Sequence, residues 1–140
     1  MKITIVGSSV FAKQMVEYRD KLITLGHKNN LHEHYVAQGM GEMKDMIEWM
    51  KKEHANVKIE NDYIKYHYNE IVEGDAILVL NYDKNGIKNY IGGNTLMELG
   101  FAHVHDKKIF LLNPIPEMPY SEEIKAVQPV ILNGDLSKII

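Results

Sequence analysis

Ala76-Ile77-Leu78-Val79-Leu80 places five apolar residues in succession with no polar residue among them. A strand with one face in water alternates apolar and polar side chains. An unbroken run is covered on both faces, as in the middle of a parallel sheet. Asp75 leads into this run, and a Gly/Asn-rich loop follows it. Helical spacing then resumes over 94–106, and a second apolar run begins at Lys108 and ends at Leu112. Strand, crossover helix and strand in one direction is the repeating unit of an α/β domain.

The amino-terminal segment reads the same way. Lys2-Ile3-Thr4-Ile5-Val6 is a short β-branched run that stops at Gly7-Ser8-Ser9. Phe11, Met15, Tyr18, Leu22 and Leu25 then recur at three or four residues, and Gly26 stands where a helix would close. Residues 129–132 give a weaker further strand, and helices are expected near 10–25, 43–54, 62–72 and 94–106. In the third of these, Tyr63, Tyr66 and Ile71 supply large side chains. Residues 27–41 admit either a short second strand or a loop closing over a site. The expectation is one Rossmann-like domain over 1–140: a three-layer α/β sandwich with a mainly parallel sheet of four to five strands.

Composition narrows the function classes. There are no cysteines and no run of about 18 apolar residues, so neither a disulfide framework nor a membrane span is expected. The opening apolar strand is too short for a signal peptide, which makes a cytoplasmic location the simplest expectation. A net charge of −3 offers no reason to expect nucleic-acid polymer as a partner. Arg19 is the only arginine, so an anionic ligand would be held by backbone N–H groups, hydroxyls and lysines. His32-x-His34 and His103-x-His105 suggest metal ligands at first sight. A spacing of two on a helix points side chains about 200° apart, however, and no HExxH-like set is present, so no metal is expected.

The chemistry-bearing candidate is Glu98, which follows Gly92-Gly93-Asn94 at the start of a helix beyond the central strand. Two readings stay open. A carboxylate in the first turn is held ionised by the helix N-terminus and serves as nucleophile or base. Alternatively, Thr95-x-x-Glu98 is a capping box. Ala102, one turn along, leaves space beside the carboxylate, and Gly92 and Gly93 permit close approach of a ligand. Ser8 and Ser9 have two readings as well: contacts to a phosphate or ribose hydroxyl, or an N-cap in a tight turn. No G-x-G-x-x-G fingerprint accompanies them.

Three segments then carry a resemblance: Glu73-Gly74-Asp75-Ala76-Ile77-Leu78-Val79-Leu80, Gly93-Asn94-Thr95-Leu96-Met97-Glu98-Leu99-Gly100-Phe101-Ala102, and Lys107-Lys108-Ile109-Phe110-Leu111-Leu112. Together they resemble the nucleoside 2-deoxyribosyltransferase superfamily, which includes the 2′-deoxynucleoside 5′-monophosphate N-glycosidases. The likeness covers 73–112, is thinner at Ile5-Val6-Gly7-Ser8, and fails across 27–60. It implies that Glu98 attacks the anomeric carbon of a nucleoside or nucleotide. It also implies that Gly7 and Ser8 contact the sugar or its phosphate, as in the monophosphate-cleaving branch; Ser9, Asn81, Gly92, Gly93 and Asn94 are further candidates to line the substrate site, and no cofactor is expected.

The sequence departs from the family pattern at His67, where an aspartate is expected eight residues before Asp75. His67 is then the candidate acid for the departing base, with Asp62 and Glu70 as other candidates. The Gly/Arg-rich continuation of the first loop is missing. The loop between Leu80 and Gly93 is longer than the family norm and carries Tyr82, Asp83, Asn89 and Tyr90. The resemblance further implies at least a homodimer, with Ser121 as the candidate residue completing a neighbour's site. Tyr120, Ile124, Val127, Leu96, Leu99 and His103 would supply the contact. A nucleotide-binding protein without turnover and a structural scaffold are the alternatives to an enzyme.

Overall fold

A computed structural model describes residues 1–31, Val36 and 63–140. The expected helix at 43–54, with Met43, Met46, Ile47, Trp49 and Met50, lies outside the described residues, as do His32, His34 and Asp62.

The described elements are β1 (Lys2–Gly7), α1 (Ala12–Thr24), β2 (Lys28–Asn30), α2 (Tyr63–Glu73), β3 (Ala76–Leu80), α3 (Gly93–Val104), β4 (Lys108–Leu111), α4 (Ser121–Ala126) and β5 (Val130–Ile131). Short 3-10 turns occupy Ser9–Phe11 and Leu136–Lys138. One sheet contains all five strands in the order β2-β1-β3-β4-β5, and every pairing is parallel. This is the α/β Rossmann-like architecture the sequence predicts, and the strand order is that of doubly wound sheets of the flavodoxin type. The ambiguous segment after Gly26 does contain a second strand, three residues long, at the edge of the sheet.

Strand alternation divides the core in two. Ile3, Ile5, Ala76, Leu78, Leu80 and Phe110 face Met15 and Leu22 of α1, together with Leu132 and Ile139 of the carboxyl-terminal segment. Val6, Ile77, Val79, Ile109 and Leu111 face Ile71 of α2, Leu99 and Ala102 of α3, and Ile124 of α4. Residues 76–80 are all buried, which accounts for the absence of polar residues in that run.

The helix ends follow from local chemistry. Beyond α1, Gly26 takes φ +87, its N–H donates to Ile23 O at 2.9 Å, and His27 N–H donates to Leu22 O at 2.9 Å. Those two bonds form a Schellman motif. The same pair of bonds closes α3, where Asp106 N–H donates to His103 O and Lys107 N–H to Ala102 O. There the left-handed position falls on Asp106, at φ +56. Among the described residues, no helix is long and apolar enough to cross a membrane.

One expectation is corrected by the packing. Leu99 and Ile124 are 1% and 0% exposed and belong to the core of the chain itself, so they are not available to a second subunit. Tyr120, Val127 and Leu96 pack against the same core. These residues carry apolar side chains because they cover the sheet.

Candidate functional site

β1 and β3 lie side by side, with Gly7 opposite Leu80 at their carboxyl ends. The chain then leaves β1 toward α1 on one face and leaves β3 toward α3 on the other. Loops that diverge in this way open a crevice at the carboxyl edge, the usual ligand position in doubly wound sheets. Gly7 serves the strand pair at this point. Its φ is +150, and a Cβ there would stand 2.9 Å from Leu80 O. The absence of a side chain lets the strands approach; a ligand is not required to explain it.

Ser8 occupies the N-cap position of the following 3-10 turn, with Phe11 N–H donating to its carbonyl at 3.0 Å, yet its hydroxyl makes no capping bond. Instead, Ser8 Oγ accepts from Lys84 Nζ at 2.8 Å. Ser8 is therefore an N-cap by backbone position but not through its side chain.

Lys84 is delivered by an ordered loop between β3 and α3. Lys84 and Ile87 exchange backbone hydrogen bonds of 3.0 and 2.9 Å around Asn85 (φ +53) and Gly86 (φ +74), a tight turn of the type I′ kind. Tyr90 N–H donates to Tyr82 O at 2.9 Å, and Asn89 N–H donates to Asp83 Oδ1 at 3.0 Å, closing the loop's base. Tyr82 packs edge-on against Phe11 with ring centroids 5.3 Å apart, anchoring the loop to the α1 side. The Lys84 ammonium stands 5.1 Å from the centre of the Tyr90 ring. That ring in turn covers Gly92, where a Cβ would lie 3.1 Å from the Tyr90 hydroxyl.

Asn81, expected to touch substrate, is fully buried and differently employed. Its Nδ2 donates to Asn113 O and Pro114 O, and its Oδ1 accepts from Asn113 N–H. Both amide hydrogens are spent on the neighbouring loop, so Asn81 shapes the edge from behind. Ser121 is engaged as well. Its hydroxyl lies 2.6 Å from Pro116 O and 2.8 Å from Met118 O, and accepts from Met118 N–H at 2.7 Å. Those bonds close the turn that starts α4. Its neighbour Tyr120 donates to Ile91 O, just before the Gly92-Gly93 pair, and burial followed by the nearby Tyr90 phenol pushes the Tyr120 hydroxyl up in pKa.

At α3 the structure revises the sequence reading of Glu98. The N-cap is Gly92, whose carbonyl accepts from Leu96 N–H at 2.9 Å, and the first turn contains no acidic residue. Thr95 is the third helical residue and Glu98 the sixth, so no Thr95–Glu98 capping box forms. The dipole argument weakens too, because helix-end electrostatics fade beyond the first turn. Glu98 is half-buried on the flank of the face formed by Thr95, Leu99 and Ala102, below the exposed Gly93 and Asn94.

His67 belongs to another neighbourhood. It is 9% exposed on α2 and lines a small crevice with Thr4, Ile5, Asn30, Tyr66 and Glu70, on the side of β1 and β2. Thr4 Oγ1 donates to Glu70 O in the same place, at 3.3 Å. The next residue, Tyr68, turns the other way. Its hydroxyl meets His105 Nε2 at 2.8 Å and its ring stands edge-on to Phe101 at 5.2 Å, which is how α2 packs on α3. The structure thus gathers Gly7, Ser8, Lys84, Tyr90 and Gly92 at the carboxyl edge and leaves His67 facing β1 from the opposite flank of α2.

Lys84 is the site residue the sequence reading missed. Asn85-Gly86 is a strong hairpin signal from which the tight turn, though not the lysine's destination, was legible. The return of the lysine to Ser8, 76 residues earlier, had no local signature. Comparison with protein-family models, with curated proteins and with solved structures gave no match.

Proposed function

We propose that the protein binds a nucleoside or nucleotide at the carboxyl ends of β1 and β3 and cleaves or transfers its N-glycosidic bond through Glu98. The observation that carries this reading is the convergence of Ser8 and α3 on the switch point of a doubly wound sheet. α3 begins at that edge with exposed Gly93 and Asn94 and brings a half-buried carboxylate on its second turn. In the reaction, a Glu98 oxygen forms a bond to the anomeric carbon as the C1′–N bond breaks. The bonding pair leaves on the base nitrogen, which takes a proton from water. Water or a second base then opens the glycosyl ester and regenerates the carboxylate. With Gly92 as the cap, Glu98 is not part of a Thr95–Glu98 capping box. A homo-oligomer is part of the proposal, and light scattering giving a particle of 16.1 kDa would remove it.

Glu98→Gln tests the mechanism. An amide cannot form the ester, so release of free base should fall by about three orders of magnitude or more while ligand binding survives. Unchanged release would reject the nucleophile.

Nucleotide binding without turnover is the second reading, and one observation favours it. His67, the residue expected from the sequence to protonate a leaving base, faces Thr4 and Asn30 across the far flank of α2. Binding by the wild-type protein with no base released from any nucleoside or nucleotide would select it.

A further inference from the structure

Two Asn-Gly pairs share one local conformation. Asn85 and Gly86 take φ +53 and +74, and Ile87 N–H donates to Lys84 O at 2.9 Å. Asn133 and Gly134 take φ +50 and +79, and Asp135 N–H donates to Leu132 O at 3.0 Å. Both are tight turns of the type I′ kind, and all four residues are exposed. The turns differ at the glycine nitrogen. Gly134 N–H donates to Leu112 O at 3.1 Å, which ties its turn to the segment just beyond β4. Among the described residues, neither the Gly86 N–H nor the Asn85 carboxamide has a hydrogen-bond partner.

We infer that Asn85 is a site of spontaneous deamidation, and that the change releases Lys84 from Ser8. The Gly86 nitrogen gives up its proton to water and bonds to Asn85 Cγ, as the Cγ–Nδ2 bond breaks and ammonia leaves. Water then opens the cyclic imide. Attack at the side-chain carbonyl gives an aspartyl residue, and attack at the main-chain carbonyl gives an isoaspartyl one. A glycine nitrogen suits this step because no side chain crowds it. Ring closure swings the Asn-Gly peptide out of its turn orientation. For Gly134 that swing first breaks the bond to Leu112 O, whereas for Gly86 no bond to the reacting nitrogen is lost. Either product puts a carboxylate next in sequence to Lys84. The half-buried Lys84 ammonium has the Ser8 hydroxyl at 2.8 Å and the Tyr90 ring at 5.1 Å as neighbours. Among the described residues, no carboxylate now lies within ion-pair distance of it. A charged acceptor holds an ammonium more strongly than a neutral hydroxyl does. The isoaspartyl form also adds a carbon to the main chain between residues 85 and 86, which a two-residue turn does not accommodate. The reaction needs no ligand, so it stands apart from the nucleotide reading.

The folded chain, held in mildly alkaline buffer free of ammonium, is sampled over time by peptide mass mapping with fragmentation that separates aspartyl from isoaspartyl products. Residue 85 should convert about fivefold or more faster than residue 133, the factor that one spent hydrogen bond supplies. In urea the two rates should converge, since both pairs are Asn-Gly. Equal rates in the folded chain would overturn the site. A ratio that persists in urea would assign the difference to sequence neighbours and overturn it as well. Labelled protein reads the consequence. As residue 85 converts, the Ser8 amide resonance should move to the position it takes in Lys84→Met. An unmoved Ser8 resonance in fully converted protein would overturn the release of Lys84. Asn85→Gln, whose longer amide closes an imide far more slowly, should keep the original Ser8 resonance throughout. Drift in that variant would overturn the link to residue 85.

Discussion

Asn81 and Asn113 hold each other in both directions. The Asn81 side chain donates to Asn113 O at 2.8 Å and accepts from Asn113 N–H at 2.9 Å, while Asn113 Nδ2 donates to Asn81 O at 3.0 Å. Both residues stand just beyond the carboxyl ends of neighbouring strands, β3 and β4. The clasp therefore ties the loop carrying Lys84 and Tyr90 to the segment leading to Tyr120. It provides the buried end of each loop with hydrogen bonds that the sheet no longer supplies.

Asn81→Ala should destabilise the fold by about 2–4 kcal/mol, because it empties a fully buried position and removes three hydrogen bonds to the Asn113 backbone and the Pro114 carbonyl. Urea denaturation measures this. A change below about 0.5 kcal/mol would mean that water replaces the amide and the clasp is not needed.

Gly7→Ala should cost about 2–3 kcal/mol, since φ +150 is strained for any L side chain and the new methyl would stand 2.9 Å from Leu80 O. The obstruction is backbone, so no side-chain rotation relieves it. Thermal melting at neutral pH reads the loss, and an unaltered midpoint would show that β1 and β3 can separate without penalty.

Thr95→Val tests the assignment of the α3 cap. With Gly92 at the N-cap, the Thr95 hydroxyl does not serve as cap acceptor, and stability should change by less than about 0.5 kcal/mol. A capping box would instead lose about 1 kcal/mol. A drop of that size would restore the cap and weaken the case for Glu98 as a chemical group.

Tyr82 makes the fold sensitive to alkali. Burial first, then the nearby Tyr18 phenol, raises its pKa well above the ordinary phenol value. A raised folded pKa means that the neutral phenol is favoured in the folded state. Its contribution is complete below about pH 10, where the unfolded phenol titrates, and is lost as pH climbs from there toward the folded value. Stability should therefore fall above pH 10 more steeply in wild type than in Tyr82→Phe, which keeps the ring against Phe11 and removes the ionisation. Parallel alkaline slopes in the two proteins would contradict this.

The sequence alone determined the parallel α/β core, because that information is local. Residues 76–80 lack alternation since both faces are covered, and β-branched runs, helical spacing and the closing Gly26 each act within one element. It also located the Glu98 helix and the long loop ahead of it. Tertiary structure decided the rest. Thr95 and Glu98 fit a capping box by spacing, but the helix starts at Gly93, two residues before Thr95, and Gly92 becomes the cap. His67 and Tyr68 are adjacent in sequence, yet they face opposite flanks of α2, so the histidine's distance from the Glu98 helix follows from how α2 packs. Asn81 is a polar residue at a strand end, and only its pairing with Asn113 spends its amide. The Lys84–Ser8 contact joins β1's loop to a turn beyond β3, and it exists because parallel pairing puts Gly7 beside Leu80. Contacts across such separations leave no period or motif in the chain, since neither partner's neighbours in sequence take part in them.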